Sequence, residues 1–398
     1  MIEQIRKNID RSLALFLDTV KKDYKLHLVS PILFKSIREF TMREGKRLRP
    51  LLLVLTYKGY AHHSKKISRK LYNASTCMEF LHNFMLIHDD IIDRSDLRRG
   101  KRTMHKILER TVQTRDPDKL GIDLGIITGD IVYALAIDAF LSIDEPPVRK
   151  ERALKYFIQT AAFTAMGEFI DTVSGVKPVE DVDEKQVFLN YTLKTARYTF
   201  DCPMVTGAIL AGAKNKEIKK ISRFGILIGQ AFQVQDDIIG TFETEANIGK
   251  SILSDLAEGK KTLLVTHAFS VLQGKAKKEF LNIFAKKTKT LKDLKTLKEI
   301  FVKTKSLDYA LEAIHTRLNE AQKILNSLDM NEEYRGLLEA SLLKLFNHSQ
   351  KIVLSYRVRP TLAPHINRLD NASNTRRPRS VVFKYRFSSN KKPSLIHV

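Results

Sequence analysis

Two groups of carboxylates have the spacing to hold a metal ion. Asp89-Asp90-Ile91-Ile92-Asp93 closes an apolar segment that runs Phe84-Met85-Leu86-Ile87, and Asp236-Asp237-Ile238-Ile239-Gly240 sits in an apolar run that begins near Phe224. On a helix Asp89 and Asp93 stand about one turn apart on a shared face, where like charges destabilise an isolated helix by about 0.2–0.5 kcal/mol. A divalent cation between them reverses that sign. The second group repeats the pair about 150 residues later but ends in Gly240, where the first has an acid. Oxygen-only ligands with open positions suit Mg²⁺, which keeps waters and is completed by substrate phosphates. Two such helices face to face would clamp a diphosphate. Either group alone fits a solvated helix cap equally well.

A diphosphate also needs cations, and Arg–phosphate forks supply geometry as well as charge. Gly45-Lys46-Arg47-Leu48-Arg49-Pro50 places three cations in four residues just before an apolar stretch, and Arg98-Arg99-Gly100-Lys101 follows Asp93 closely. Lys194-Thr195 follows a helical stretch, and Lys250 and Gly259-Lys260-Lys261-Thr262 follow the second acidic group. His82 precedes Asp89 by about two helical turns. Seen singly, a basic cluster reads as solvated surface and a histidine on an apolar helix as a core residue.

The elements that must carry these residues read as helices. Apolar positions recur at helical spacing, as at Leu291, Leu294, Leu297 and Phe301, alternating strands are absent, and no proline falls between Pro203 and Pro360. The expected fold is all-α: one large helical bundle around a central cavity over residues 1–355. From Tyr356 to Val398 the chain has ten Lys or Arg, one acid (Asp370), prolines and many Ser and Asn, the composition of a disordered basic tail. The net charge is +23, of which +14 remains without the tail, much of it from Lys275 to Lys305, read here as a solvated helix face. Such a charge suits anionic partners without choosing among nucleic acid, anionic lipid and diphosphates. Cys77 and Cys202 cannot build a disulfide framework, and the charged N-terminus lacks a signal-peptide pattern, so the expected compartment is the cytoplasm. The apolar region Leu120–Leu141 is interrupted by Asp123, Asp130 and Asp138, which makes a bilayer span costly.

Taken in order, the motifs resemble the trans-type polyprenyl diphosphate synthase family. They are GKRLRP, ExxH from Glu79 to His82, DDIID followed by RRGKRT, KTA from Lys194 to Ala196, FQVQDD from Phe232 to Asp237, and GKKT. The resemblance covers roughly residues 25–350, takes in Gly129-Asp130, Gly167 to Asp171 and Gly249-Lys250, and extends to archaeal-like geranylgeranyl and farnesyl diphosphate synthases. It implies that Asp89, Asp93 and Asp236, supported by Asp90 and Asp237, hold Mg²⁺, as three ions on an allylic diphosphate. By the same likeness Arg98, Lys194, Lys250 and Lys260 hold that diphosphate, and Lys46, Arg49, His82 and Arg99 hold isopentenyl diphosphate. Thr195 and Gln233 would border the reacting carbons, and a homodimer is implied. Two positions depart from the commonest pattern: Gly240 ends the second acidic group, and Glu168 stands where Gln is usual.

The chemistry expected is metal-assisted departure of diphosphate from the allylic carbon, attack by the isopentenyl double bond, and loss of a proton. Phe84, with Met85 beside it, is the candidate floor of an apolar tunnel for the growing chain. It lies five residues before Asp89, or roughly 7.5 Å of helix rise, which favours a C20 product and then C15. Ordinary core packing explains a Phe there equally well. Among the alternatives, a terpene cyclase would carry a different second metal motif, and a head-to-head condensing enzyme would show DxxED-like motifs. A non-catalytic subunit of a heteromeric synthase would lose Asp89, Asp93 or Arg98, all present here. No nucleic-acid partner is expected, although Arg376-Arg377-Pro378-Arg379 would be its best support; a weak contact of the tail with an anionic membrane surface is the other expectation.

Overall fold

The computed structural model describes residues 1–61, 69–98, 100–243 and 258–346. Arg99, Lys250 and the basic tail lie outside them. The chain folds as helices α1 (Ile2–Asp23), α2 (Leu26–Val29), α3 (Pro31–Thr41), α4 (Leu48–Tyr60), α5 (Arg69–Ser75), α6 (Cys77–Ile92), α7 (Met104–Leu108), α8 (Pro117–Leu141), α9 (Pro147–Val176) and α10 (Glu184–Asn190). A π-helical segment, Tyr191–Asp201, leads into α11 (Cys202–Ala211), followed by α12 (Asn215–Phe242), α13 (Leu263–Val271), α14 (Gly274–Ala285), α15 (Leu291–Lys303), α16 (Ser306–Asn326) and α17 (Glu332–Leu343). The all-α expectation holds, with one small exception. Leu97–Arg98 (β1) and Lys101–Arg102 (β2) form an antiparallel hairpin with Arg98 opposite Lys101. Gly100, at φ +73°, supplies the left-handed turn it needs. The pairing is too short to show alternation in sequence.

Local sequence sets the helix starts. Asp116 accepts from the Lys119 amide with Pro117 at the first helical position, and Asp183 with Gln186 forms a reciprocal capping box. Helices α4 and α11 are the centre of the bundle, because both are apolar on every side. Leu51 to Leu55 are at most 1% exposed, and Cys202 to Leu210 are all buried. Around them α6 packs on α8, and α12 packs on α16 and on the π-helical segment.

The wide turns of Tyr191–Asp201 end against Pro203, which has no amide to return to the Thr199 carbonyl, and the Cys202 amide just before it donates to the Arg197 carbonyl in an i→i+5 bond, a pattern that recurs at functional sites. Within it Asp201 is fully buried and accepts from the Tyr156 hydroxyl at 2.7 Å. Burial pushes its carboxyl up to about 6, against the pull of the Tyr156 hydroxyl. The folded value lies above the unfolded one, so the folded state binds the extra proton, and stability falls as pH rises from about 4 to 6. Asp201→Asn keeps an acceptor for Tyr156 and removes the charge. We expect it to be more stable than wild type above pH 6 by on the order of 3 kcal/mol. The gain should vanish near pH 4 when denaturant midpoints are compared across that window.

Candidate active site

The C-terminal end of α6 carries the first acidic group as the spacing predicts. Asp93 is the C-cap residue, with its amide donating to the Asp89 carbonyl at 2.8 Å. Oxygens of Asp89, Asp93 and Glu168 lie within 4.8 Å of one another, and all three residues are half-buried. Glu168 comes from α9. The departure noted in the sequence therefore adds a carboxylate to the first acidic group. Burial and the Asp89 charge push the Asp93 carboxyl up to about 7, and burial raises that of Glu168. The helix end adds its own partial negative charge. Three hard oxygen donors crowded at such a cost fit a divalent cation of the Mg²⁺ kind.

Asp90 lies outside that three-carboxylate group. It is fully buried and accepts from Arg98 Nε at 2.7 Å, while Arg98 Nη2 reaches Asp89 at 2.9 Å. Asp90 thus fixes the guanidinium rather than joining the cluster, and the β1–β2 hairpin carries Arg98 to that place. Burial raises Asp90 to about 6, with Arg98 working against it.

Lys194 projects from the π-helical segment. Its Nζ lies 2.8 Å from both Glu168 and Asp171, and 3.6 Å from Asp89. Burial alone would lower its pKa, but those three acids hold it well above the ordinary lysine value. The close approach of α9 depends on Gly167, where a Cβ would fall 2.5 Å from the Lys194 amide nitrogen. Lys260 pairs with Glu258 at 2.5 Å and is close enough to Asp93 to pull that carboxyl down.

The second acidic group divides. Asp236 is exposed and lies outside the three-carboxylate cluster. Asp237 is buried, accepts from the Tyr191 hydroxyl, and takes the Gln233 amide at 3.0 Å. That fixes Gln233 so that its Oε1 accepts from Thr195 at 2.6 Å. The pair expected at the reacting carbons is thereby oriented from behind by Asp237.

A third cluster lies where α4, α6 and the π-helical segment meet. Arg49 donates to Thr199 at 2.8 Å and lies over the Tyr198 ring at 4.5 Å, and the His82 ring centres 6.1 Å from the same ring. Tyr198 also adds to the raised pKa of Arg98. Sequence reasoning missed Tyr198, Glu168 and Asp171 as members. The available signal was spacing, since Tyr198 follows Lys194 by four residues.

Arg47 stands apart from its neighbours Lys46, which is exposed, and Arg49. It is 5% exposed, sits at φ +46°, and forks to Asp10 at 2.8 Å and Glu79 at 2.6 Å while donating to the Arg43 carbonyl. It ties the turn before α4 to α1 and α6. Removing one partner of a buried pair strands the other, so Arg47→Met should cost about 3 kcal/mol by denaturant unfolding, and Arg47→Met with Glu79→Gln should recover much of it.

Phe84 lies between two rings, His88 at 4.8 Å and Tyr133 of α8 at 4.9 Å. Gly129 makes room for His88, because a Cβ there would sit 2.3 Å from Nε2. A surface hollow of about 800 Å³ lies elsewhere, lined by Glu109 to Pro117, and none of these residues joins the clusters above.

Comparison with known proteins agrees with this geometry. The polyprenyl synthetase family profile matches residues 30–301. A geranylgeranyl diphosphate synthase of Sulfolobus acidocaldarius is 29% identical over 308 residues, 77% of this chain and 87% of its own. A geranylfarnesyl diphosphate synthase of Aeropyrum pernix is 30% identical, over 75% of this chain and 88% of its own. Among solved structures, the geranylgeranyl pyrophosphate synthase of Corynebacterium glutamicum, complexed with isoprenyl diphosphate and magnesium, superposes with TM-score 0.77 at 25% identity, over 87% of this chain and 99% of its own.

Proposed function

Because this chain belongs to the polyprenyl synthetase family, we propose that it condenses isopentenyl diphosphate with an allylic diphosphate, head to tail and trans, to a short-chain product. The product is geranylgeranyl diphosphate (C20) first and farnesyl diphosphate (C15) next. The observation that carries this reading is the convergence of Asp89, Asp93 and Glu168 with Arg98 and Lys194 at one helix end. Asp89, Asp93 and Glu168, with Asp236 from the second acidic group, would hold Mg²⁺, which when bound would supply positive charge for breaking the allylic carbon–oxygen bond.

The chain's own residues do the rest. Arg98 and Lys194, joined by Lys260 and Lys250, hold the allylic diphosphate and take up the charge that grows on its oxygens. Lys46, Arg49 and His82, with Arg99, hold isopentenyl diphosphate with its double bond toward the allylic carbon. A carbon–carbon bond forms as the bond to diphosphate breaks, and the departing diphosphate accepts the proton. Thr195 and Gln233, fixed by Asp237, present oxygens toward the transient positive carbon. The growing chain runs down beside α6 until it meets Phe84 and Met85, with Tyr133 behind Phe84.

Residues 1–355 form the catalytic body and 356–398 a basic tail. The enzyme works in the cytoplasm as a homodimer, without a nucleic-acid partner. Helix α8 is long and apolar enough to cross a membrane by length and composition, but its Gly129, Val132 and Leu135 are buried in the fold. The apolar side chains it exposes, Ile126 (44%) and Ile127 (55%), are joined by Met166 (55%) and Phe169 (70%) on α9. A second copy of the chain is the occupant of that face. Product analysis with dimethylallyl, geranyl and farnesyl diphosphates as primers tests the proposal. A dominant C20 product supports it, whereas products much longer than C20 would remove the proposed floor and keep the reaction.

A further inference from the structure

The most basic stretch of the described chain is a helical hairpin that carries none of the residues of the active-site clusters. Helices α14 and α15 pack on each other through Phe280 and Phe301, whose rings are 6.5 Å apart, and are joined by the loop at 286–290. From Lys275 to Lys305 there are eleven lysines, three acids and no arginine. One of the acids, Asp293, is buried and neutralised by Lys286 at 2.5 Å.

The outward face of α15 is not a plain solvated surface. Leu294, Leu297 and Phe301 turn inward and are at most 5% exposed. Leu291, Lys295, Lys298 and Val302 fall at intervals of four, three and four residues, so they line one stripe about a quarter-turn around the helix from that inward face. Leu291 is 61% exposed and Val302 43%, and the exposed Lys292 and Lys303 flank them. On α14, Lys275 and Lys278 are exposed as well. Two apolar side chains are thus held on a rigid helix inside a field of ammonium groups.

We propose that the α14–α15 hairpin is a docking surface for a bilayer rich in anionic lipid. Charge complementarity chooses the occupant. Ammonium groups are point charges without the planar fork that reads a particular phosphate or base edge, so a face whose cations are all lysine, outnumbering the exposed Glu279 and Glu299, suits a diffuse layer of headgroups. Leu291 and Val302 then enter the headgroup boundary while the lysines meet the phosphates.

The test is co-sedimentation of the full-length protein with vesicles of phosphatidylcholine alone or with a third of phosphatidylglycerol. Binding only to the anionic vesicles is expected, weakening as salt rises from about 0.1 to 1 M and the screening length falls from about 10 to 3 Å. The full chain carrying K287Q/K292Q/K295Q/K303Q should partition at least about tenfold more weakly, with prenyl transfer to soluble primers unchanged. Leu291→Ser with Val302→Ser should remove the part of the binding that survives high salt. Exchanging instead the Lys and Arg after Tyr356 for Gln should leave most of the binding. Loss with the tail variant but not the hairpin variant would overturn the proposal, as would a failure of the wild type to bind anionic vesicles. Tighter binding to a duplex oligonucleotide than to the vesicles would also overturn it.

Discussion

Asp89→Ala lowers the rate of prenyl transfer by about a thousandfold or more while leaving the fold standing. The two effects separate because of how Asp89 is bonded. It is the residue shared by the metal cluster, the Arg98 fork and the Lys194 pair, so its loss removes a cation ligand and unbalances two substrate-holding groups. Each cation nevertheless keeps a partner without it, Arg98 on Asp90, and Lys194 on Glu168 and Asp171. Its carboxylate also repels those of Asp93 and Glu168, so its loss relieves charge as well as removing contacts. Thermal unfolding should shift by no more than a few degrees, and circular dichroism should be unchanged. A variant that keeps wild-type turnover would remove Asp89 from the metal site, and a variant that unfolds would make its role structural.

Phe84→Ala lengthens the dominant product by at least one isoprene unit. The ring stands between His88 and Tyr133, about 7.5 Å of helix rise from Asp89, which is the span of a short chain. Removing it opens the way along α6 to Tyr133, so Phe84→Ala with Tyr133→Ala should go further still. Phe84 is only half-buried, so the stability cost should fall below the 3–5 kcal/mol typical of emptying a full core site. Chromatography of dephosphorylated products reads the outcome. An unchanged product length would return Phe84 to ordinary packing and place the floor elsewhere.

The sequence made the helices and the first acidic group legible, because both are patterns of near neighbours. Asp89 and Asp93 share a face for the reason that the 3.6-residue period requires. Partnerships between distant residues were not legible. Arg47, Lys46 and Arg49 read as one basic cluster, yet Arg47 is a buried staple to Asp10 and Glu79, because a left-handed turn points it inward. Asp237 was expected to support Asp236 at the metal, and its bond from Tyr191, 46 residues away on the π-helical segment, could not be seen from spacing, unlike its bond from Gln233 one turn back on α12. Glu168 was visible only as a departure from a pattern. Its meaning depends on α9 meeting α6, which spacing along the chain does not encode. Tyr198 lies on the π-helical segment four residues after Lys194, but its meeting with Arg49 of α4 and His82 of α6 is again a contact between distant residues. The roles expected of Arg99, Lys250 and the tail lie outside the described residues.

The central claim is that this helix-end cluster transfers a prenyl group. The measurement that tests it most directly is incorporation of labelled isopentenyl diphosphate into extended product, with an allylic primer, with Mg²⁺ or with a chelator, for wild type and Asp89→Ala side by side. The account predicts extension with Mg²⁺, none with the chelator, and almost none with the variant. No extension by wild type with any allylic primer would contradict it and leave a non-catalytic subunit of a heteromeric synthase as the reading to pursue.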